Sequence, residues 1–249
     1  MASKELSLID HLRELRKRIF WSVIALLVGT SVAFIFFRQI IELLVLPARD
    51  FGALQSLELV YTEVTELLST SVKVSFMAGF VLSSPVILYH VIRFVAPGLS
   101  RSERRSLLFF LPAVLLAFIA GVAFGYYVLT PPALKFLLTF GNDVATPLIK
   151  ISNIVNVMVR LLFWMGVSFE TPLVLYMLAR LGIVNARRLA KFRRFWLVIA
   201  FLLAAIITPT FDPFNQALVA IPLLVLYEVG IILAKLAQRR RSRTQLNPK

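Results

Sequence analysis

Apolar runs separated by polar stretches dominate this chain. The runs are Ile19–Phe37, Val74–Ile92, Leu107–Leu129, Leu161–Leu178, Phe195–Thr208 and Phe214–Leu233. A hydrocarbon core about 30 Å thick is crossed by roughly 20 apolar residues of helix. Taken to their polar limits, the spans cover about 19–37, 72–92, 107–129, 154–178, 195–208 and 214–234. The pattern predicts an all-α polytopic membrane protein with six transmembrane helices and both termini on one face. Residues 1–237 read as a single transmembrane domain and 238–249 as a basic, solvated tail.

The polar stretches carry their own signals. Leu6, Ile9, Leu12 and Leu15 recur at helical spacing, so residues 3–18 read as an amphipathic helix leading into span one. The 38–70 stretch reads as a loop whose second half has helical periodicity, and 130–153 as a loop punctuated by Pro131, Pro132 and Pro147. Pro97-Gly98 breaks the 93–106 loop, and Pro209 and Pro213 frame a tight turn before span six. Span five is short: fourteen helical residues reach roughly 21 Å, so spans five and six are expected either to thin the bilayer or to be covered by their neighbours. No internal repeat is visible.

Composition agrees with a membrane protein: 59% of the 249 residues are hydrophobic and the mean hydropathy is +0.84. The formal charge of +14 raises nucleic acid as a partner, but its distribution argues against that. Arg13, Arg16, Lys17 and Arg18 precede span one, Arg101, Arg104 and Arg105 follow span two, Arg187, Arg188 and Lys191 follow span four, and Arg239, Arg240 and Arg241 follow span six. The opposite loops hold only Arg38, Arg49, Lys135 and Lys150, with Lys73 and Arg160 near span ends. The positive-inside rule therefore places both termini in the cytoplasm, and anionic lipid headgroups suffice as partners of the basic face. No cleavable leader is evident, so span one is expected to stay as an anchor.

Cysteine is absent, which excludes disulfides and thiol chemistry. His11 and His90 are the only histidines, so no metal site or other cofactor is expected. Neither a phosphate-binding loop nor a nucleophile signature occurs, and an enzyme is not expected. Four acidic residues fall on the basic face: Glu5, Asp10, Glu14 and Glu103. Glu14 pairs by spacing with Arg18, and Ser100-x-x-Glu103 forms a capping box before span three. Each is also a candidate for binding a guanidinium, which a carboxylate holds bidentately. Glu170 lies deep in span four, two residues before Pro172. A carboxyl at that depth is costly and faces protein or water. It is open to a packing role, a proton site or docking of another helix. Glu228 lies nearer the end of span six and can snorkel.

Together these segments resemble the TatC family, the multi-spanning receptor subunit of the twin-arginine protein translocase. The matching stretches are His11-Leu12-x-Glu14-Leu15-Arg16-x-Arg18, Phe94-Val95-Ala96-Pro97-Gly98-Leu99 with Glu103-Arg104-Arg105, Gly166-x-x-Phe169-Glu170-x-Pro172, and Ile207-Thr208-Pro209 with Asp212 and Gln216. The resemblance runs from about residue 5 to 235, and the turn after Thr208 is one residue longer than the usual family form. It implies a receptor for signal peptides bearing two adjacent arginines, moving folded proteins across the cytoplasmic membrane on the proton-motive force. By that resemblance Glu14 and Glu103 receive the arginines, with Phe94, Arg16, Pro97, Leu99, Arg104 and Arg105 completing the site. Glu170, Thr208, Asp212 and Gln216 become polar contacts for partner helices. It further implies single-span TatA- and TatB-like partners and self-association in a larger complex. The rival expectation is a proton-coupled small-solute transporter with Glu170 as proton carrier, against which the missing repeat counts.

Overall fold

A computed structural model describes residues 8–50, 60–95, 101–140, 148–208 and 212–246. All regular structure among them is helical apart from one isolated bridge between Val60 and Lys150. The chain divides into two compact units, Met1–Leu44 with Thr62–Leu116, and Val45–Tyr61 with Ala117–Lys249. Among the described residues, five helical stretches are long and apolar enough to cross a membrane: His11–Ile35, Glu66–Val91, Pro112–Thr139, Ile151–Arg180 and Pro213–Arg239.

Unit one is built on α1 (Leu8–Ile35) and α3 (Glu66–Val95). The amphipathic segment and span one form one continuous helix, because no breaker separates Arg18 from Ile19. Two glycines let α1 and α3 meet backbone to backbone: a Cβ on Gly29 would stand 2.7 Å from the Gly79 carbonyl oxygen. Hydroxyls line the buried face of α3 and bond back to its own carbonyls, Ser75 to Ser71 at 2.7 Å and Ser83 to Gly79 at 2.6 Å. Pro85 leaves the Val81 carbonyl without its helical partner, and the Ser84 hydroxyl fills that role at 2.7 Å.

Helix α2 (Phe37–Asp50) corrects the expectation for the 38–70 stretch. The helix occupies the first half, where Ile41, Leu44 and Val45 are buried at helical spacing. In the second half, residues 51–59 lie outside the described residues, residues 61–65 are non-helical and residues 66–70 are helical, as the first turns of α3. Helix α4 (Arg101–Phe124) begins directly after Ser100, which with Pro97 and Gly98 lies outside the described residues.

In unit two, α4 passes through a π segment (Gly125–Leu129) into α5 (Thr130–Thr139). This corrects the loop expected from residue 130. Pro131 and Pro132 sit in the first turn of α5, where a missing N–H costs nothing. The Thr130 backbone N–H and its hydroxyl both bond the Gly125 carbonyl, the hydroxyl at 2.8 Å, and this fixes the wider π turn. Gly121 and Gly166 allow close approach to α6 (Ile151–Phe169): a Cβ on Gly166 would stand 2.7 Å from the Phe118 ring.

Span four is two helices, α6 and α7 (Thr171–Leu181), joined at Glu170. Gly182, at φ 80°, ends α7 in the left-handed conformation that glycine adopts without strain. The loop expected at 179–194 contains a short α8 (Ala186–Lys191), capped by the Asn185 side chain, which accepts from the Arg187 N–H at 2.9 Å. Helix α9 (Arg193–Ile207) has 15 residues and α10 (Pro213–Leu246) has 34. The helix of α10 runs on through the Arg-rich segment expected to be a mobile tail. Stacking of Trp196 on Tyr227 at 4.6 Å and the 2.7 Å Arg193–Glu228 ion pair join α9 to α10. Glu228 thus pairs with Arg193 while both side chains stay about half exposed.

Candidate functional site

In unit one, helical spacing brings chemistry to one face of α1. His11, Glu14 and Arg18 stand three and four residues apart, hence on one side of the helix. Glu14 accepts from Arg18 Nη2 at 2.7 Å, the pairing that spacing predicts. On α3, Arg93 and Phe94 stand three and four residues after His90 and so share its side of the helix. The His11 and Phe94 rings stack 4.5 Å apart, 25° from parallel. Arg93 lies over the Tyr89 ring and donates to its hydroxyl.

Between these faces runs a groove of about 520 Å³, lined by Arg13, Glu14, Lys17, Arg18, Trp21, His90 and Arg93. One carboxylate thus stands among four cationic side chains. Two nitrogens of the groove, Arg18 Nε and His90 Nδ1, are buried and make no hydrogen bond. An adjoining apolar groove of about 250 Å³ is walled by Leu15, Ile19, Leu26, Ile87 and Val91 and ends at Phe94. The pair of grooves can take a polar cationic segment beside a hydrophobic one.

Of the other expected site residues, Arg16 is exposed on α1 and Phe94 is half-buried. Glu103, Arg104 and Arg105 lie in the first two turns of α4. Pro97 and Leu99 fall outside the described residues. Sequence reasoning passed over Arg18, Trp21, His90 and Arg93 as site residues. The i,i+4 spacing about Glu14 and Phe94 was the signal that pointed to Arg18 and His90, and Arg93 stands three residues after His90.

A second set lies in unit two. Glu170 links α6 to α7, and its half-buried carboxyl makes no hydrogen bond or ion pair among the described residues. Thr208 is buried at the end of α9 and donates its hydroxyl to the Ala204 carbonyl at 2.8 Å. Asp212 caps α10: one carboxylate oxygen accepts the Asn215 N–H at 2.7 Å and the other the Asn215 side-chain amide at 2.9 Å. Gln216 follows on the first turn of α10, half-buried. Along α9, Phe195, Leu197, Val198, Phe201, Leu202 and Ile206 are exposed.

Comparison with known proteins agrees with this architecture. The family model described as TatC, Sec-independent protein translocase protein, matches residues 10–222. The Sec-independent protein translocase protein TatC of Aquifex aeolicus is 40% identical over 240 residues, covering 96% of this chain and 98% of the relative. That of Carboxydothermus hydrogenoformans is 39% identical over 235 residues, covering 94% and 95%. The chloroplastic TATC of Arabidopsis thaliana is 39% identical over 236 residues, covering 95% of this chain and 68% of the relative. A crystal structure described as the twin arginine translocase receptor TatC superposes with a TM-score of 0.82 at 41% identity, covering 91% of this chain and 99% of that one.

Proposed function

The chain belongs to the TatC family of Sec-independent protein translocase proteins, and on that premise we propose that the Glu14 groove receives the paired arginines of a signal peptide. The protein is a multi-pass membrane subunit of this translocase, a transport component rather than an enzyme. The small-solute transporter finds no support among its relatives.

The observation that carries the peptide reading is the isolated carboxylate. Glu14 stands among Arg13, Lys17, Arg18 and Arg93, so an incoming arginine is repelled everywhere in the groove except at Glu14. Arg18 already holds that carboxylate at 2.7 Å, in the contact a peptide guanidinium would make. A partly exposed i,i+4 pair of this kind contributes only about 0.3–0.5 kcal/mol. A well-oriented bidentate guanidinium exceeds that and displaces it. Glu103, on the first turn of α4, takes the second arginine. By the family resemblance Phe94, Arg16, Pro97, Leu99, Arg104 and Arg105 complete the site. The apolar groove ending at Phe94 receives the hydrophobic part of the peptide.

The polar residues of unit two serve partners. Glu170, Thr208, Asp212 and Gln216 offer hydrogen bonds to TatA- and TatB-like single-span helices, and the exposed apolar face of α9 covers them. In this reading α9 is a sixth, short span, and the basic residues flanking the spans put both termini on the cytoplasmic side of an inner membrane that holds the complex. Anionic lipids neutralise the basic face. Several copies assemble with the partners, and the proton-motive force drives transport.

The test is the affinity of the purified protein for a twin-arginine peptide and for its twin-lysine counterpart. An ammonium cannot match the planar fork, so the lysine peptide binds roughly tenfold or more weakly. Equal affinities overturn the proposal.

A further inference from the structure

Unit two contains a cavity that peptide reception does not use. It measures about 400 Å³, within the range of small-ligand pockets. Leu134 and Leu138 of α5 and Leu148 form its apolar wall, and Asn153, Asn156 and Arg160 of α6 form its polar edge. The three polar residues are three and four apart and lie on one helix face.

Arg160 is the unusual member. It lies within the candidate span Ile151–Arg180, nine residues from its start, which is about 14 Å along the helix. The thirty residues, α6 and α7 joined at Glu170, reach at most about 45 Å, up to some 15 Å more than a hydrocarbon core. With the span centred, the Cα of Arg160 is roughly 6 Å inside the core, and its extended stem reaches the headgroup level. Yet the guanidinium makes no hydrogen bond or ion pair among the described residues. An arginine at that depth is stabilised by an anion. Lipid phosphates are the anions available at headgroup level.

We propose that this cavity is a binding site for one anionic phospholipid. The guanidinium of Arg160 holds the phosphodiester, the amides of Asn153 and Asn156 hydrogen-bond the headgroup, and an acyl chain lies along Leu134, Leu138 and Leu148. The membrane depth and the leucine wall favour a lipid over free phosphate, and the charge favours an anionic over a zwitterionic headgroup.

Native mass spectrometry of the detergent-purified protein tests this, with phosphatidylglycerol, phosphatidylcholine and glycerol phosphate as separate probes. Phosphatidylglycerol is expected to be retained, phosphatidylcholine to be retained less, and glycerol phosphate, which has no acyl chain, not at all. Arg160→Gln lowers phosphatidylglycerol affinity roughly tenfold, the loss of one charge-assisted contact, and Arg160→Lys restores part of it. Thermal unfolding without lipid identifies a variant that fails to fold. Equal retention of both lipids, binding of glycerol phosphate alone, or an unchanged Arg160→Gln overturns the proposal. So does a loss of stability in lipid-free Arg160→Gln as large as its loss of lipid affinity, which would assign the guanidinium to a contact within the chain itself. Recovery of Arg160 crosslinked to a partner helix, with no lipid effect, overturns it in favour of a protein contact.

Discussion

Replacing Glu14 by Gln separates two roles of one carboxylate. In the fold, Glu14 accepts from Arg18 Nη2 at 2.7 Å across one helical turn. Both side chains are partly exposed, and such pairs stabilise a helix by about 0.3–0.5 kcal/mol. Glutamine keeps the length and one acceptor oxygen, so the folded state loses no more than that. In peptide binding the same oxygen faces a guanidinium. A hydrogen bond to a charged group contributes about 1.5–3 kcal/mol, which corresponds to roughly tenfold to a hundredfold in Kd. The loss is deepened because Arg13, Lys17, Arg18 and Arg93 then face the peptide with no anion among them. Fluorescence anisotropy with a labelled twin-arginine peptide is expected to show that drop, while the unfolding midpoint in detergent hardly moves. Unchanged affinity, or a stability loss as large as the binding loss, refutes the reasoning.

Arg18→Gln removes the side chain that occupies Glu14, and affinity for the same peptide should rise about twofold, by the small strength of the displaced pair; a fall would mean that Arg18 is needed to orient the carboxylate. Gly29→Ala drives a Cβ to 2.7 Å from a backbone oxygen that cannot step aside, and should cost about 1–3 kcal/mol in thermal unfolding; an unchanged midpoint contradicts the close α1–α3 crossing. Ser84→Ala strips the Val81 carbonyl of its substitute partner and should cost about 1–3 kcal/mol, whereas Ser83→Ala affects a carbonyl that α3 already satisfies and should be nearly neutral. Glu170→Gln is expected to retain copurification of single-span partners and transport, and Glu170→Ala to lose both; transport abolished by Gln would instead assign proton transfer to that carboxyl.

Much of the fold was legible because membrane spans announce themselves by run length, and five qualify here on length and composition. The boundaries were less so, for specific reasons. Pro131 and Pro132 look like loop punctuation, yet in a first helical turn proline breaks nothing, so α5 was hidden. The Arg-rich end of α10 has no apolar periodicity, but no glycine or proline interrupts it before Pro248, and the helix runs on. Helix α2 was missed because its buried stripe, Ile41, Leu44 and Val45, directly follows an apolar run and merges with it. At the candidate site the Glu14–Arg18 pair followed from spacing alone. The stacking of His11 on Phe94 did not, because it depends on how α1 crosses α3, which the two glycines decide.

The central claim is that the α1 groove and the start of α4 together hold the two arginines. Photo-crosslinking tests it most directly, with the reactive side chain placed at Leu12 on α1 or at Ser102 on α4. A twin-arginine peptide should be captured from both positions, and capture should fall sharply with a twin-lysine peptide or with Glu14→Gln. Capture from neither position, or equal capture of both peptides, would contradict it.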